Sequence, residues 1–241
     1  MRVAKVIAIP VPKNPCLLKL KSMAKGKLIV FEGIDGSGKA TQAKLFFEFF
    51  KDKKIPAEQI SFPRYEKSLW GEMVRRYLDG EFGKVDEVSP YLASVLYAGD
   101  RMSASAQIRM WFSKGKMVIC DRYVGSNIAH MGAKIKDKGL RIKFIKWLEE
   151  LEYVENKIPR EDLVIFLSVP VEVSQNLISN RKLDIHERDA SYLRRVAREY
   201  ESLARERKNW VKVECVENGK LLLPETIHQK VLEVLGRGRI L

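Results

Sequence analysis

Three glycines, a lysine and an aspartate fall within one short stretch, Phe31-Glu32-Gly33-Ile34-Asp35-Gly36-Ser37-Gly38-Lys39-Ala40-Thr41-Gln42. Gly33, Gly36 and Gly38 admit backbone angles closed to other residues, so successive N–H groups can turn inward on an anion. Lys39 then sets a fixed positive charge on the outer phosphates of a nucleotide. The pattern is G-x-x-x-x-G-K followed by Ser or Thr, and the chain departs from it at the last place. Ala40 stands where a hydroxyl would meet Mg²⁺, with Thr41 one residue on. Three further groups of residues have matching chemistry: Phe62-Pro63-Arg64-Tyr65, then Tyr97-Ala98-Gly99-Asp100-Arg101, then Asp121-Arg122-Tyr123 with Ser126-Asn127. Taken singly, each reads equally well as a surface arginine or a structural ion pair. Beside a phosphate cradle they supply what a second phosphorylated substrate needs: Arg for bidentate oxyanion contact, an aromatic ring to stack a base, and an amide to read its edge.

Such residues must be brought to one place, and the apolar pattern says how. Short apolar runs at Leu28 to Glu32, Glu58 to Phe62, Met117 to Asp121, Leu163 to Leu167 and Trp210 to Val216 are separated by helix-length segments. That alternation predicts a parallel sheet covered on both faces. The first run leads through the glycines into Leu45-Phe46-Phe47-Glu48-Phe49-Phe50, a predicted helix, which is the strand–loop–helix order a phosphate cradle needs. Another helix is expected from Val171 to Ser179. From Tyr192 onward, Leu193, Val196, Ala197, Tyr200, Leu203 and Ala204 fall on one stripe of a helix and are read as core. A last helix opens at Pro224-Glu225 and packs through Ile227, Val231, Val234 and Leu235. The candidate site residues sit at the C-terminal ends of these strands or on nearby helices, where open α/β sheets bind ligands.

Composition sets the outer limits. The 241 residues, 46% hydrophobic and 31% charged, suffice for one α/β domain with a sizeable core. No run approaches the ~18 consecutive apolar residues of a membrane span, so a soluble, cytoplasmic protein is expected. Cys16, Cys120 and Cys215 are far apart, with no C-x-x-C pair, and read as reduced thiols. The formal charge of +13 raises the question of nucleic acid. Seven of those cations (Arg2, Lys5, Lys13, Lys19, Lys21, Lys25, Lys27) lie in residues 1–27, which hold no acid. About half of the excess therefore belongs to an N-terminal extension, and the remainder suits a site for several phosphates. Nucleic acid and membrane are not expected as partners. Residues 1–26 show no clear period and read as a basic extension ahead of one domain at 27–241. Met23 is the expected natural start, which mass spectrometry of the natively expressed protein would test.

The chain from about Lys27 onward resembles the thymidylate kinase family of P-loop nucleoside monophosphate kinases. FEGIDGSGKATQ, FPRY, YAGDR and DRYVGSN fall in the family's order, and Asp184-Ile185-His186-Glu187-Arg188-Asp189 matches where the family has its lid and the helix after it. The resemblance implies a five-stranded parallel sheet flanked by helices with a short lid at about 180–187. It also implies Mg²⁺-dependent transfer of phosphoryl from ATP to dTMP, and a homodimer. Position by position, Gly33, Ile34, Asp35, Gly36, Ser37, Gly38, Lys39, Ala40 and Thr41 would hold ATP. Asp35 would also face the acceptor. Arg64 and Arg122 would grip the acceptor phosphate, and Phe62 and Tyr65 would wall its site. Tyr97 would stack on the base, Arg101 and Asn127 would read its edge, and Asp121 would act on Mg²⁺ directly or through water. No covalent intermediate is needed.

Three departures from the family matter. Some members carry an Arg within the glycine loop where this chain has Gly36, so the cation on the transferring group is expected from the lid. Arg181 is the expected contact, ahead of Lys182 and Arg188. His130 stands three residues after Asn127, where related kinases often have a Tyr against C2′ of the sugar. A His there could exclude a 2′-hydroxyl or hydrogen-bond to it and admit ribonucleotides. A kinase for another monophosphate, UMP, dUMP or CMP, is the alternative within enzymes, told apart by the pocket of Tyr97, Arg101, Asn127 and His130. Ala40 leaves Mg²⁺ to phosphate oxygens, waters and Asp121, and with the short lid it supports a further alternative, a nucleotide-binding module without turnover.

Overall fold

Strand β1, Leu28–Glu32, is buried along its whole length. It is the middle strand of a five-stranded parallel sheet of order β2-β3-β1-β4-β5, in which β2 is Ala57–Ser61, β3 Met117–Asp121, β4 Leu163–Ser168 and β5 Trp210–Glu214. This description comes from a computed structural model and covers residues 25–84, 86–178, 186 and 189–236. Val30 pairs with Cys120 on one side and Val164 on the other. The helices are α1 (Lys39–Asp52), α2 (Leu69–Asp79), α3 (Pro90–Ser113), α4 (Val124–Gly132), α5 (Lys138–Glu150, continuing into a π turn at Leu151–Glu155), α6 (Val171–Ile178), α7 (Ala190–Glu206) and α8 (Pro224–Gly236).

Side chains alternate across the sheet and so build two cores. Leu28, Val30, Val118, Val164 and Phe166 face α3, α4, α5 and α7, meeting Ile108, Ile128, Phe144, Leu193 and Val196. Ile29, Phe31, Ile119, Ile165 and Leu167 face α1 and α8, meeting Phe46, Phe50, Ile227 and Val231. With both faces covered, the central strands have no polar alternation, and that is why they read as continuous apolar runs. Strand β2, at the sheet edge, is only half covered.

The predicted elements are present, with two shifts. β2 lies one residue earlier than the apolar run, and the last run is broken. β5 ends at Glu214, and Val216–Glu217 turns back on Lys220–Leu221 as a small antiparallel hairpin, β6–β7. Asn218 and Gly219 both take positive φ, 51° and 73°, as a tight two-residue hairpin turn requires. On α7 the expected stripe is buried at Leu193, Val196, Tyr200 and Leu203 and half-buried at Ala197 and Ala204. Met23 and most of the N-terminal extension lie outside the described residues, as does the lid apart from His186. Among the described residues no helix is long and apolar enough to cross a membrane.

Candidate active site

Three adjacent strands deliver the site from their C-terminal ends: β1 runs into the glycine loop, β2 into Phe62-Pro63-Arg64, and β3 into Arg122. The glycine loop bends as its composition demands, with φ of 77° at Gly36 and 83° at Gly38. A Cβ on Gly33 would lie 2.8 Å from the Leu167 carbonyl, so only glycine lets the loop pass β4 that closely. Gly38 caps α1 without a side-chain hydrogen bond, which leaves the first N–H groups of that helix for an anion. Lys39 is buried and its Nζ donates to the Ile34 carbonyl at 2.7 Å. Burial, with Arg122 adding to it, pulls the Lys39 pKa down to about 8 against the opposing pull of Asp35 and Asp121. Ala40 and Thr41 are exposed at the start of the helix.

Asp35 projects from this loop onto Arg122, whose Nη2 donates to Oδ1. Burial would raise the Asp35 pKa, but Arg122 and then Lys39 overrule it and hold the carboxyl well below its usual range. Burial likewise works against the Arg122 charge, and Asp35 overrules it, holding the guanidinium firmly protonated. Arg122 takes φ 65°, rare for a residue with a side chain. Its N–H donates to the Phe31 carbonyl at 3.0 Å and its Nη1 to Ser126 Oγ at 3.0 Å.

Asp35 and Arg122 open onto a cavity of ≈ 70 Å³. Phe62, Tyr65, Tyr97, Arg101, Asn127 and His130 line the same space, so eight of the expected site residues converge. Arg101 is buried, donating from Nε to Glu152 Oε1 at 2.9 Å and from Nη1 to the Tyr123 carbonyl at 3.3 Å. Glu152 was not read from the sequence, where it is one of several glutamates in a helical stretch. Asn127 donates to the Ser94 carbonyl at 3.2 Å, and its Oδ1 is buried without a hydrogen-bond partner. His130 offers a buried, unpartnered Nε2. Burial, followed by Arg122, lowers its pKa and keeps the ring neutral. His186, which carried no individual role in the sequence reading, closes the wall, stacked on Tyr192 at 5.1 Å and 5.7 Å from the His130 ring.

Arg64 lies beside this cavity and not in its wall. Asp100 Oδ1 accepts from its Nε at 3.1 Å and Ser103 Oγ from its Nη2 at 2.5 Å, and it faces a neighbouring groove that shares Pro63 and Tyr65. Asp100 also accepts from Ser68, which caps α2. The glycine before it is a packing requirement, since a Cβ on Gly99 would lie 2.3 Å from the Trp70 ring. Arg181, Lys182 and Arg188 lie outside the described residues.

Asp121 ends β3 with a buried Oδ1 that has no hydrogen-bond partner. Among the described residues no three His, Cys, Asp or Glu side chains gather as a metal site. One free carboxylate oxygen near Lys39 fits a hard cation that takes most of its ligands from phosphates and water, as Mg²⁺ does.

A parallel sheet of this order with a glycine-loop lysine at the end of its central strand, beside a cavity holding an Arg–Asp pair, is the fold of a P-loop kinase of the nucleoside monophosphate type. The family model for thymidylate kinase matches residues 31–227, and the chain belongs to the thymidylate kinase family. It is 38% identical over 160 residues to a probable thymidylate kinase of Pyrococcus horikoshii, covering 65% of this chain and 72% of that one. It is 30% identical over 184 residues to a thymidylate kinase of Mycobacterium tuberculosis, covering 73% and 85%. The fold matches a solved thymidylate kinase from Candida albicans with a TM-score of 0.71 and 23% identity over 91% of this chain and 95% of that one.

Proposed function

We propose that the protein transfers the terminal phosphoryl group of ATP to dTMP, giving ADP and dTDP. The observation that carries this is the joining of Asp35, from the donor loop, to Arg122, in the acceptor cavity, so that one ion pair sits between two anion sites. ATP would lie on the amides from Gly33 to Thr41 with Lys39 swung from the Ile34 carbonyl onto its phosphates. Arg122 would take the acceptor phosphate, with Arg64 as a second cation from the cavity's edge. Tyr97 would stack on the base, Phe62 and Tyr65 would wall the site, and Arg101 and Asn127 would meet the base edge. The acceptor phosphate is already a competent nucleophile, so these groups align two anions in line and spread positive charge over the transferring group. Asp121 would hold Mg²⁺, directly or through water, and the ion when bound would neutralise phosphate charge. Arg181 remains the proposed lid cation.

His130 supports a second reading in which the acceptor carries a 2′-hydroxyl, because its free Nε2 could accept from one. A coupled ADP-release assay over dTMP, dUMP, UMP and CMP with ATP and Mg²⁺ tests both. Preferred turnover of dTMP supports the main reading, and preferred turnover of UMP overturns it. A homodimer belongs to the same proposal, since Leu92, Val95 and Met102 stand exposed along one side of α3, and sedimentation velocity reads it. So does a cytoplasmic location, where both nucleotides are made and used.

A further inference from the structure

Glu32 has no role in the scheme above, yet its carboxylate is fully buried where β1 gives way to the glycine loop. It reaches the first turn of α4. Its Oε1 accepts from the backbone N–H of Tyr123 at 2.9 Å and of Ser126 at 2.9 Å. These are orphan donors of a helix N-terminus, and Tyr123, at the cap position, supplies no side-chain cap of its own. Glu32 therefore caps α4 from a different strand. Its Oε2 accepts from Ser126 Oγ at 2.6 Å and from the Tyr200 hydroxyl at 3.2 Å. With its proton given to Glu32, Ser126 Oγ turns a lone pair to Arg122 Nη1 at 3.0 Å. Gly125 makes the approach possible, since a Cβ there would lie 3.0 Å from Glu32 Oε1 and 2.7 Å from the Trp210 ring.

Arg122 is thus fixed from both ends. Its backbone, in an uncommon left-handed conformation, is tied on one side to Phe31 and followed on the other by a turn that Glu32 caps. Its guanidinium rests on a hydroxyl that gives its proton to Glu32 and also meets the Tyr200 hydroxyl at 2.9 Å. We propose that Glu32 is a positioning residue that aims Arg122 at the acceptor phosphate through the first turn of α4 and the Ser126 hydroxyl, touching neither substrate itself. The inference rests on the monophosphate-kinase reading.

Glu32→Gln keeps the shape and an acceptor for the two N–H groups, but sets an amide N–H against Ser126 Oγ and removes the carboxylate that takes its proton, leaving the Tyr200 hydroxyl as its remaining partner beside Arg122. Ser126→Ala keeps the carboxylate and the backbone cap and removes the hydroxyl that links the guanidinium to Glu32 and Tyr200. Both should lower kcat/KM for dTMP about 10–100-fold with KM for ATP unchanged, and calorimetry should show weaker dTMP binding. In an Arg122→Ala background neither change should cost anything further. Losses that multiply in that background, or variants that match the wild type in kcat/KM and dTMP affinity, overturn the proposal. If Glu32→Gln does not fold, Ser126→Ala decides by the same comparison. A wild-type protein that neither binds nor phosphorylates dTMP sinks the kinase reading instead, an outcome separate from the variant-to-wild-type ratios.

Discussion

The two halves of the site are built on opposite plans. On the donor side, the glycine loop offers backbone amides at an uncapped helix end, and its cation, Lys39, is folded onto a carbonyl of its own loop. On the proposed acceptor side three arginines among the described residues are each paired: Arg122 with Asp35, Arg101 with Glu152, and Arg64 with Asp100. A cradle of amides suits a ligand rich in charge, because it asks nothing of the base or sugar. A pocket of paired, largely buried groups suits a ligand that must be told from its neighbours, because a mismatch leaves polar groups unsatisfied. The contrast predicts that damage on the acceptor side spreads into stability and specificity, while damage on the donor side stays confined to nucleotide and metal.

The strongest test attacks the most buried pair. Arg101→Met strands Glu152, whose second oxygen already lacks a hydrogen-bond partner, as an unpaired charge in the core. Removing one partner of such a pair costs about 3–5 kcal/mol, read as a shift in the urea midpoint. Adding Glu152→Leu should recover most of that loss without restoring activity on dTMP. A single Arg101→Met that unfolds at the wild-type midpoint would break the contrast. Next in size, Arg122→Ala should lower kcat/KM for dTMP by about 10²–10³-fold, by analogy with loss of one transition-state donor. Binding of ATP in the absence of acceptor should be unchanged, and equal losses for both nucleotides would erase the division between halves.

The same division governed what could be read from the sequence. The donor side was legible because a glycine loop is local: turn, cap and lysine lie within a few residues, and β1 and α1 flank them at fixed spacing. The central strands were legible because burial on both faces makes them uniformly apolar. The acceptor residues were legible one by one, but not their pairings. Arg101 finds Glu152 within the π turn after α5, and Arg122 depends on a carboxylate delivered by β1; no periodicity carries either fact. Arg64 shows the same limit, since its motif gave no sign that Asp100 of the next motif holds it beside the cavity. The β6–β7 hairpin had a local signal in Asn218-Gly219, hidden because the apolar pattern continues past Cys215.

Titration separates the halves within an accessible pH range. Asp35 is held far below neutrality and Arg122 far above, so the acceptor pair keeps its charges throughout. Lys39 has its pKa lowered to about 8. Its charge is present below that value and lost as pH rises through it. In the free enzyme, kcat/KM for ATP should therefore fall on an alkaline limb near pH 8, approaching tenfold per pH unit. Calorimetric affinity for dTMP should stay flat over the same range, and Lys39→Arg should move the limb out of range. A profile that stays level to well above pH 9 would remove Lys39 as the titrating group.

The smallest expected effect concerns the place where the donor loop departs from its pattern. Ala40 is exposed at the first turn of α1, so Ala40→Ser adds a hydroxyl without displacing anything in the core. If Mg²⁺ meets the loop there, the new oxygen replaces one water ligand at a site otherwise supplied by Asp121 and phosphate oxygens. An added contact of that kind is worth about 1 kcal/mol, or about fivefold in the Mg²⁺ concentration giving half-maximal rate, with kcat little changed. Asp121→Asn should raise that concentration and lower kcat together. In the double variant the serine should recover part of the metal affinity and none of the rate, because a hydroxyl returns a ligand but not a charge. A serine that leaves metal dependence untouched in both backgrounds would place Mg²⁺ away from α1, with Asp121 as its contact on the protein.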